Sequence, residues 1–118
     1  MATVNGTNNS ERIDRDDGVT DEADTIFGFG GDDMIFGFGG DDLINGGRGA
    51  DTINGGAGID TARYGDSSES VVVSLATGVG LGGTAEGDRL ISIENLTGSS
   101  FDDTLIGAIG GNVLNRPL

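Results

Sequence analysis

Residues 28–63 read GFGGDDMIF, GFGGDDLIN, GGRGADTIN and GGAGIDTAR, which are four consecutive units of nine residues without a gap. Every unit has an aspartate at its sixth place and a small or aliphatic residue at its eighth. The sixth-place aspartates are Asp33, Asp42, Asp51 and Asp60. The eighth-place residues are Ile35, Ile44, Ile53 and Ala62. The high glycine content alone would favour a disordered acidic linker, but disorder gives no reason for this spacing.

Each nine-residue unit predicts half a turn of a parallel solenoid. A glycine-rich loop adopts positive φ at low cost and exposes its carbonyl groups. Three residues with an apolar centre, such as 52–54, form a short strand whose centre points inward. Two units complete a coil, so loops 18 residues apart stack about 4.8 Å from each other. The fold class is therefore predicted to be all-β, a parallel β-roll. The predicted neighbours are Asp24 and Asp42, Asp33 and Asp51, and Asp42 and Asp60.

Stacked aspartates of this kind need a cation between them. Two like charges about 4 Å apart repel by about 1 kcal/mol in water and about 4 kcal/mol near a protein surface. Calcium suits such a site because it takes six to eight oxygen ligands in flexible geometry, whereas magnesium demands a stricter octahedral shell. The pattern therefore predicts several calcium ions between the loops.

The stretch from about Asp24 to Tyr64 resembles the RTX (repeats-in-toxin) family of secreted bacterial proteins. The unit GGRGADTIN matches the family's repeat, G-G-x-G-x-D-x-U-x, at every defined place. The resemblance implies a β-roll in which aspartates bridge successive calcium ions, and first- and third-place carbonyl groups complete the shell. The implied carbonyl ligands are Gly28 and Gly30, Gly37 and Gly39, Gly46 and Arg48, and Gly55 and Ala57. The implied aspartate ligands are Asp24, Asp33, Asp42, Asp51, Asp60 and Asp103.

The chain of 118 residues is interpreted as one β-roll domain with four segments. Residues 1–23 form an atypical N-terminal cap, and residues 24–71 form the main repeat block. Residues 72–97 are interrupting strands, and residues 98–118 are a second, truncated repeat block. Terminal repeats are often atypical because they cap the stack.

Degenerate repeats flank the main block. In GTNNSERID, residues 6–14, Glu11 takes the acidic place and Ile13 the inner place, so the acidic run that follows must hold an insertion. At the other edge, Glu69 falls on the acidic place and Val71 on the inner place. The loop before Asp24 lacks glycine, so a poor ion site or a cap is expected there.

The remaining segment breaks the period and then restarts it. Alternation from Val71 to Leu75 predicts a strand, and a second strand is predicted over Asp88–Thr97. The units GSSFDDTLI and GAIGGNVLN then place Asp103 and Asn112 at the sixth place. This interruption and restart resembles the β-roll part of serralysin-type secreted proteases. Because no complete unit follows, we expect an incomplete site at Asp103 and a chain that is a piece of a longer protein.

Composition restricts the function further. The chain has no cysteine and no tryptophan, so neither disulfides nor a large aromatic core can stabilise it, and calcium is the remaining candidate. The net charge of −14, without any lysine, disfavours nucleic acid and anionic membranes as partners. No apolar run approaches the roughly 20 residues of a membrane span.

The residues offer little for catalysis, since histidine, cysteine and lysine are missing and no serine has an evident base. We therefore expect no enzyme but a module that folds on binding extracellular calcium. It would serve folding, type I secretion and stability in a larger secreted bacterial protein, beside a catalytic or toxin domain. The alternative is a non-catalytic binding or adhesion module for polysaccharide or a cell surface.

Two further expectations concern the surface of the roll. An open roll end exposes unpaired strand edges, which favours end-to-end self-association. Four phenylalanines either mark a sticky surface patch or cover the ends and sides of the roll, and covering is the favoured prediction. They are Phe27, Phe29, Phe36 and Phe38.

Overall fold

The computed structural model describes residues 2–107 and 114–115, and within them it is built from short strands. The strands are β1 (Thr3–Asn5), β2 (Arg12–Ile13), β3 (Thr25–Phe27), β4 (Met34–Phe36), β5 (Leu43–Asn45), β6 (Thr52–Asn54), β7 (Thr61–Arg63), β8 (Val72–Ser74), β9 (Val79–Leu81), β10 (Arg89–Ile91), β11 (Asn95–Thr97), β12 (Thr104–Ile106) and β13 (Leu114–Asn115). Two 3₁₀ turns, Arg15–Asp17 and Gly83–Ala85, are the helical elements of the described part. None of its helices is long and apolar enough to cross a membrane.

The strands alternate between two facing sheets. One sheet has six strands in the order β1-β3-β5-β7-β11-β13, and the other has seven in the order β12-β8-β9-β10-β6-β4-β2. Strands 18 residues apart pair in parallel, for example Ile26 with Ile44 and Ile35 with Ile53. This is the predicted parallel β-roll with a short interrupting β segment, and the fold class is confirmed.

The core is a single column of inner side chains between the two sheets. The middle residue of each strand in the main block points inward, as the nine-residue period predicts. These residues are 0 % exposed: Ile26, Ile35, Ile44, Ile53 and Ala62. The column continues with Leu90, which pairs with Ile53, and Leu96, which pairs with Ala62.

The N-terminal segment adds one more coil with an insertion. Val4 pairs with Ile26 and Ile13 with Ile35, each 22 residues apart instead of 18, so the coil holds four additional residues. The insertion contains the 3₁₀ turn Arg15–Asp17, and the side chain of its N-cap residue, Asp14, accepts a hydrogen bond from the backbone N–H of Asp16. Glu11 and Ile13 take the acidic and inner places, as predicted.

A β-meander, strands β8 to β10, interrupts the coil. β8 pairs with β9, and β9 with β10, in antiparallel fashion, whereas β10 pairs in parallel with β6. In this sheet β8 therefore lies three positions away from β6, and the two positions between them are occupied by the later strands β9 and β10. The loop before β8 covers residues 64–71 and is two residues longer than the six-residue loops of the main block.

Two predictions about this segment were wrong. Val71, not Glu69, takes the acidic place, because Val73 pairs with Leu105 and is the inner residue. The longer loop before β8 shifts the register by two. Residues 88–97 form two strands, β10 and β11, because Ser92 at φ 55 turns the chain from one sheet to the other.

Candidate metal centre

The four sixth-place aspartates are buried at the ends of the loops. Their exposed fractions are at most 2 %. The backbone N–H of Asp24 donates to Oδ1 of Asp42 at 2.9 Å, and the N–H of Asp42 donates to Oδ1 of Asp60 at the same distance. On the other side of the roll, the N–H of Asp33 donates to Oδ1 of Asp51 at 2.9 Å. The three predicted neighbour pairs are thus confirmed, and Oδ1 fixes each aspartate to the coil before it.

The second carboxyl oxygen of these aspartates has no partner among the described residues. Five Oδ2 atoms are buried without a hydrogen bond, those of Asp33, Asp42, Asp51, Asp60 and Asp103. Burying a carboxylate without a compensating partner is costly, and proteins compensate with a counter-charge or a metal. The unpartnered oxygens therefore mark the positions where a cation fits.

First-place glycines leave the space into which these oxygens point. A Cβ on Gly28 would lie 2.7 Å from Oδ2 of Asp33 and 2.6 Å from the carbonyl oxygen of Gly46 in the next coil. A Cβ on Gly37 would likewise collide with Oδ2 of Asp42 and lie 2.7 Å from the carbonyl oxygen of Gly55. An aspartate oxygen and a first-place carbonyl oxygen thus converge at Gly28 and at Gly37. That the first-place carbonyls bind calcium stays a prediction.

Second- and fourth-place carbonyl groups face the same gaps from the opposite loop. The carbonyl oxygens of Phe29 and Gly31 lie against Gly47 and Gly49 of the next coil. Those of Phe38 and Gly40 lie against Gly56 and Gly58. Positive φ at these alternate places, such as 65° at Phe29 and 82° at Gly31, turns successive carbonyl groups in opposite directions. Sequence analysis missed these carbonyl groups, although the spacing of the glycines carries the signal.

Two gaps between loops therefore combine a carboxylate with carbonyl oxygens from both loops. One, the first calcium gap, lies between residues 28–33 and 46–51, and the other, the second calcium gap, lies between residues 37–42 and 55–60. No three carboxylates converge within the described part of the chain, so most of the oxygens are uncharged. Such a set suits calcium, which accepts carboxylate, carbonyl and water oxygens in flexible geometry. The third-place carbonyls of Gly30, Gly39, Arg48 and Ala57 stay a prediction.

Burial raises the pKa of the four sixth-place aspartates of the main block. Desolvation is the largest cause in each case, and neighbouring carboxylates add to it. The pKa rises to about 6 for Asp33 and Asp42, about 8 for Asp60 and about 9 for Asp51. The ionised form is therefore the costly one in the roll, and a bound cation stabilises it.

Asp24 is the first aspartate of the stack that continues with Asp42 and Asp60, and both of its carboxyl oxygens accept hydrogen bonds from the protein. Oδ1 of Asp24 accepts from the N–H of Ala2 at 2.9 Å and from the hydroxyl of Thr20 at 2.7 Å, and Oδ2 accepts from the N–H of Thr20 at 2.8 Å. Asp24 therefore differs from the four aspartates that follow it. Both a poor ion site and a cap were expected for this loop without glycine, and the role of Asp24 as a calcium ligand stays a prediction.

At its C-terminal end, each stack of aspartates meets one acid that sequence analysis missed. Asp88 follows the stack of Asp33 and Asp51, and Glu94 follows the stack of Asp24, Asp42 and Asp60. The N–H of Asp51 donates to Oδ1 of Asp88, and the N–H of Asp60 donates to Glu94 Oε1, both at 2.8 Å. Oδ2 of Asp88 accepts a hydrogen bond of 2.9 Å from the buried hydroxyl of Tyr64. These acids lie 37 and 34 residues after their partners, so no fixed period reveals them.

Asp103 repeats the pattern in the second repeat block. Its Oδ1 accepts from the N–H of Val71 at 2.9 Å, and its Oδ2 lies at the space left by Gly98. Its predicted stacking partner, Asn112, lies outside the described residues.

Comparison with known proteins agrees with this geometry. A family model described as the RTX calcium-binding nonapeptide repeat (four copies) matches residues 20–39, 27–62 and 92–115, more than half of the chain. The chain belongs to the RTX calcium-binding repeat family. The RTX repeats form a calcium-binding module that is itself not catalytic. No curated protein matches the chain.

The RTX match leaves out residues 63–91, which contain Tyr64 and the β-meander. This is the part of the roll where Asp88 and Tyr64 close one stack of aspartates. The hydroxyl of Tyr64 donates there to the carboxylate of Asp88. We infer that residues 63–91 end one row of RTX loops with a hydrogen-bond donor from the protein.

Tyr64→Phe is expected to destabilise the calcium-loaded roll by about 1–3 kcal/mol, because Oδ2 of buried Asp88 loses its donor. Chemical denaturation at saturating calcium measures the loss. A double-mutant cycle with Asp88→Ala separates the hydrogen bond from the packing of the ring. A coupling energy of zero between the two positions would contradict this account.

Proposed function

We propose that this RTX module folds when it binds calcium outside the cell and thereby serves as a folding, secretion and stability domain of a longer bacterial protein. The observation that carries the proposal is the set of buried, unpartnered Oδ2 atoms on Asp33, Asp42, Asp51 and Asp60. Each opposes folding while it is ionised without a cation.

The apolar core offers little to offset this cost. It is one column of side chains, and the chain has neither a disulfide nor a tryptophan to strengthen it. Small, thin cores usually need a metal or a cross-link. The free energy of calcium binding would then be the free energy of folding.

The resulting switch suits export. Extracellular calcium modules typically bind at about 10⁻⁴–10⁻³ M. Cytosolic calcium lies well below that range, so the chain would stay unfolded until it is secreted by a type I system. An adjoining catalytic or toxin domain would then have a folded neighbour outside the cell.

Calcium titration of chelator-treated protein, followed by far-UV circular dichroism, tests the proposal. We expect a cooperative gain of β signal with a midpoint on the order of 10⁻⁴–10⁻³ M calcium. Magnesium is the control and should produce little change at the same concentration, because the carbonyl-rich gaps do not offer strict octahedral geometry. The same β spectrum with and without calcium would sink the proposal.

A further inference from the structure

A cavity of about 380 Å³ lies beside the first calcium gap. Its lining includes Phe27 and Phe29, which supply the aromatic part, and the loop glycines Gly30 and Gly47. Five polar residues complete the lining: Asn8, Asn45, Arg48, Asp66 and Thr84. An aromatic part with a few polar groups is the usual composition of a small-molecule site, and the volume falls in the usual range of about 300–1,000 Å³.

The aromatic part of the lining is held in place at a conformational cost. The Phe27 and Phe29 rings are stacked, with centroids 6.0 Å apart and an angle of 27° between their planes. Phe29 has φ 65, a left-handed conformation that side chains other than glycine rarely adopt, and it occupies the second place of its unit. The later units have Gly47 and Gly56 at that place. Phe38 has the same conformation at φ 63, so the loop requires it at the second place, but Phe29 is 48 % exposed beside the cavity.

The equivalent aromatic pair on the other side of the roll is covered. The guanidinium of Arg12 lies 4.9 Å from the centroid of Phe36, and that of Arg15 lies 4.2 Å from the centroid of Phe38. Arg15 belongs to the four-residue insertion and pairs with Asp21 at 2.5 Å. The prediction that phenylalanines cover the roll is thus confirmed for Phe38, which packs on the core, and is wrong for Phe29.

The polar side chains of the cavity are positioned before any ligand arrives. Asn45 is only 6 % exposed, and its Oδ1 accepts from the N–H of Gly47 at 3.1 Å. Its Nδ2 donates to Oδ2 of Asp66 at 3.3 Å. The hydroxyl of Thr84 is buried and has no partner among the described residues. Asn45, Asp66 and Thr84 therefore bring acceptors and donors to the cavity that the ring pair also lines.

We propose that this cavity binds one pyranose unit of a neutral carbohydrate. The face of an aromatic ring is negative and attracts the C–H face of a sugar ring, while amide, carboxylate and guanidinium groups pair with its hydroxyls. The net charge of −14 disfavours an anionic sugar. Phe29 supplies the platform, and Asn45 and Asp66 supply the hydrogen bonds.

Binding would depend on calcium without contact between sugar and ion. Phe29 and Gly30 belong to one loop of the first calcium gap, and Gly47 and Arg48 belong to the other. The cavity therefore exists only when these loops are stacked, so this inference rests on the proposed calcium-coupled folding.

Sugar titration by NMR tests the inference on ¹⁵N-labelled protein in about 10 mM calcium, well above the expected site affinity. The probes are glucose, galactose, mannose and N-acetylglucosamine, each as free sugar and as its methyl glycoside. We expect at least one to shift the amide signals of Gly30 and Gly47 and the side-chain amide of Asn45, with a Kd on the order of 1–10 mM. A preference for the methyl glycoside would indicate a unit within a glycan, and equal binding would indicate the free sugar.

Phe29→Gly removes the platform, suits the positive φ and keeps the backbone carbonyl that faces the calcium gap, so it should weaken sugar binding about tenfold or more at saturating calcium, with its own calcium midpoint measured by circular dichroism. Phe38→Gly is the matched control on the covered side and should bind as the parent does. Asp66→Ala, at an exposed position, should also weaken binding about tenfold. No shift with any probe at about 50 mM, or unchanged affinity in Phe29→Gly, would overturn the inference. Absence of the calcium-induced circular dichroism change in the parent protein would instead overturn the proposed folding function.

Discussion

Asp42→Asn is expected to raise the calcium concentration at the midpoint of folding about tenfold or more. The amide keeps an oxygen for the N–H of Asp24, but it places an uncharged NH₂ group where Oδ2 faces the second calcium gap. The site loses a negative ligand and gains two donors that repel the cation. Affinity in oxygen sites depends on the number of charged ligands, and a tenfold change corresponds to about 1.4 kcal/mol.

The neighbouring residue provides a matched control. Asp41 is exposed, and its Oδ1 accepts from the N–H of Ile59 at 2.8 Å, a bond that asparagine preserves. Asp41→Asn therefore removes the same charge one residue away without changing the gap. Circular dichroism titrations of the two variants and the parent give three midpoints. Equal shifts in both variants would mean that overall charge, and not the Oδ2 of Asp42, governs calcium binding.

The repeat block was predictable because one period determines both its strands and its buried side. Asp33, Ile35 and their equivalents recur every nine residues, so the strand centres, the stacked pairs and the buried carboxylates follow from spacing. The direction of the carbonyl groups does not follow as directly. It depends on φ at the second and fourth places, where a phenylalanine can stand in the left-handed region as Phe29 does.

The β-meander was not predictable in the same way. Alternation in residues 71–75 indicates a strand but not which strand it pairs with. Strand β8 pairs with β9 and β12, and the position next to β6 is taken by β10, which comes later in the chain. Closure of the aspartate stacks by Asp88 and Glu94 depends on this long-range pairing.

The two aromatic pairs show a similar limit. Phe27 with Phe29 and Phe36 with Phe38 occupy equivalent places, and the repeats around them are nearly identical. Only the fold shows that the insertion carrying Arg15 lies on one side of the roll. The difference between a covered pair and an open cavity therefore arises from a segment outside the repeat.

Acid is expected to stabilise the calcium-free roll and to weaken the calcium-loaded one. Burial raises the pKa of Asp33 and Asp42 to about 6, of Asp60 to about 8 and of Asp51 to about 9 in the metal-free roll. In an unfolded chain an aspartate titrates near about 3.9. The folded form therefore binds more protons than the unfolded form between these values, and its stability falls as pH rises.

The contribution of these carboxyl groups to the stability of the calcium-free roll is complete below about pH 4, where they are protonated in both the folded and the unfolded state. It is lost as pH rises through about 6 to 9. We expect calcium-stripped protein to gain β signal between about pH 8 and pH 5. Calcium requires the ionised carboxylates, so the calcium midpoint should move to higher concentration over the same change.

High salt separates the protonation of the buried aspartates from general repulsion between exposed charges. The net charge of −14 also falls on acidification, but about 1 M salt reduces the screening length to about 3 Å and suppresses repulsion between exposed charges. Desolvation of a buried carboxylate is not screened in this way. Calcium-free protein should therefore gain little β signal from salt at about pH 8 and much more from acid. An equal gain from salt and acid would show that the exposed acids, and not the buried aspartates of the RTX loops, keep the calcium-free chain unfolded.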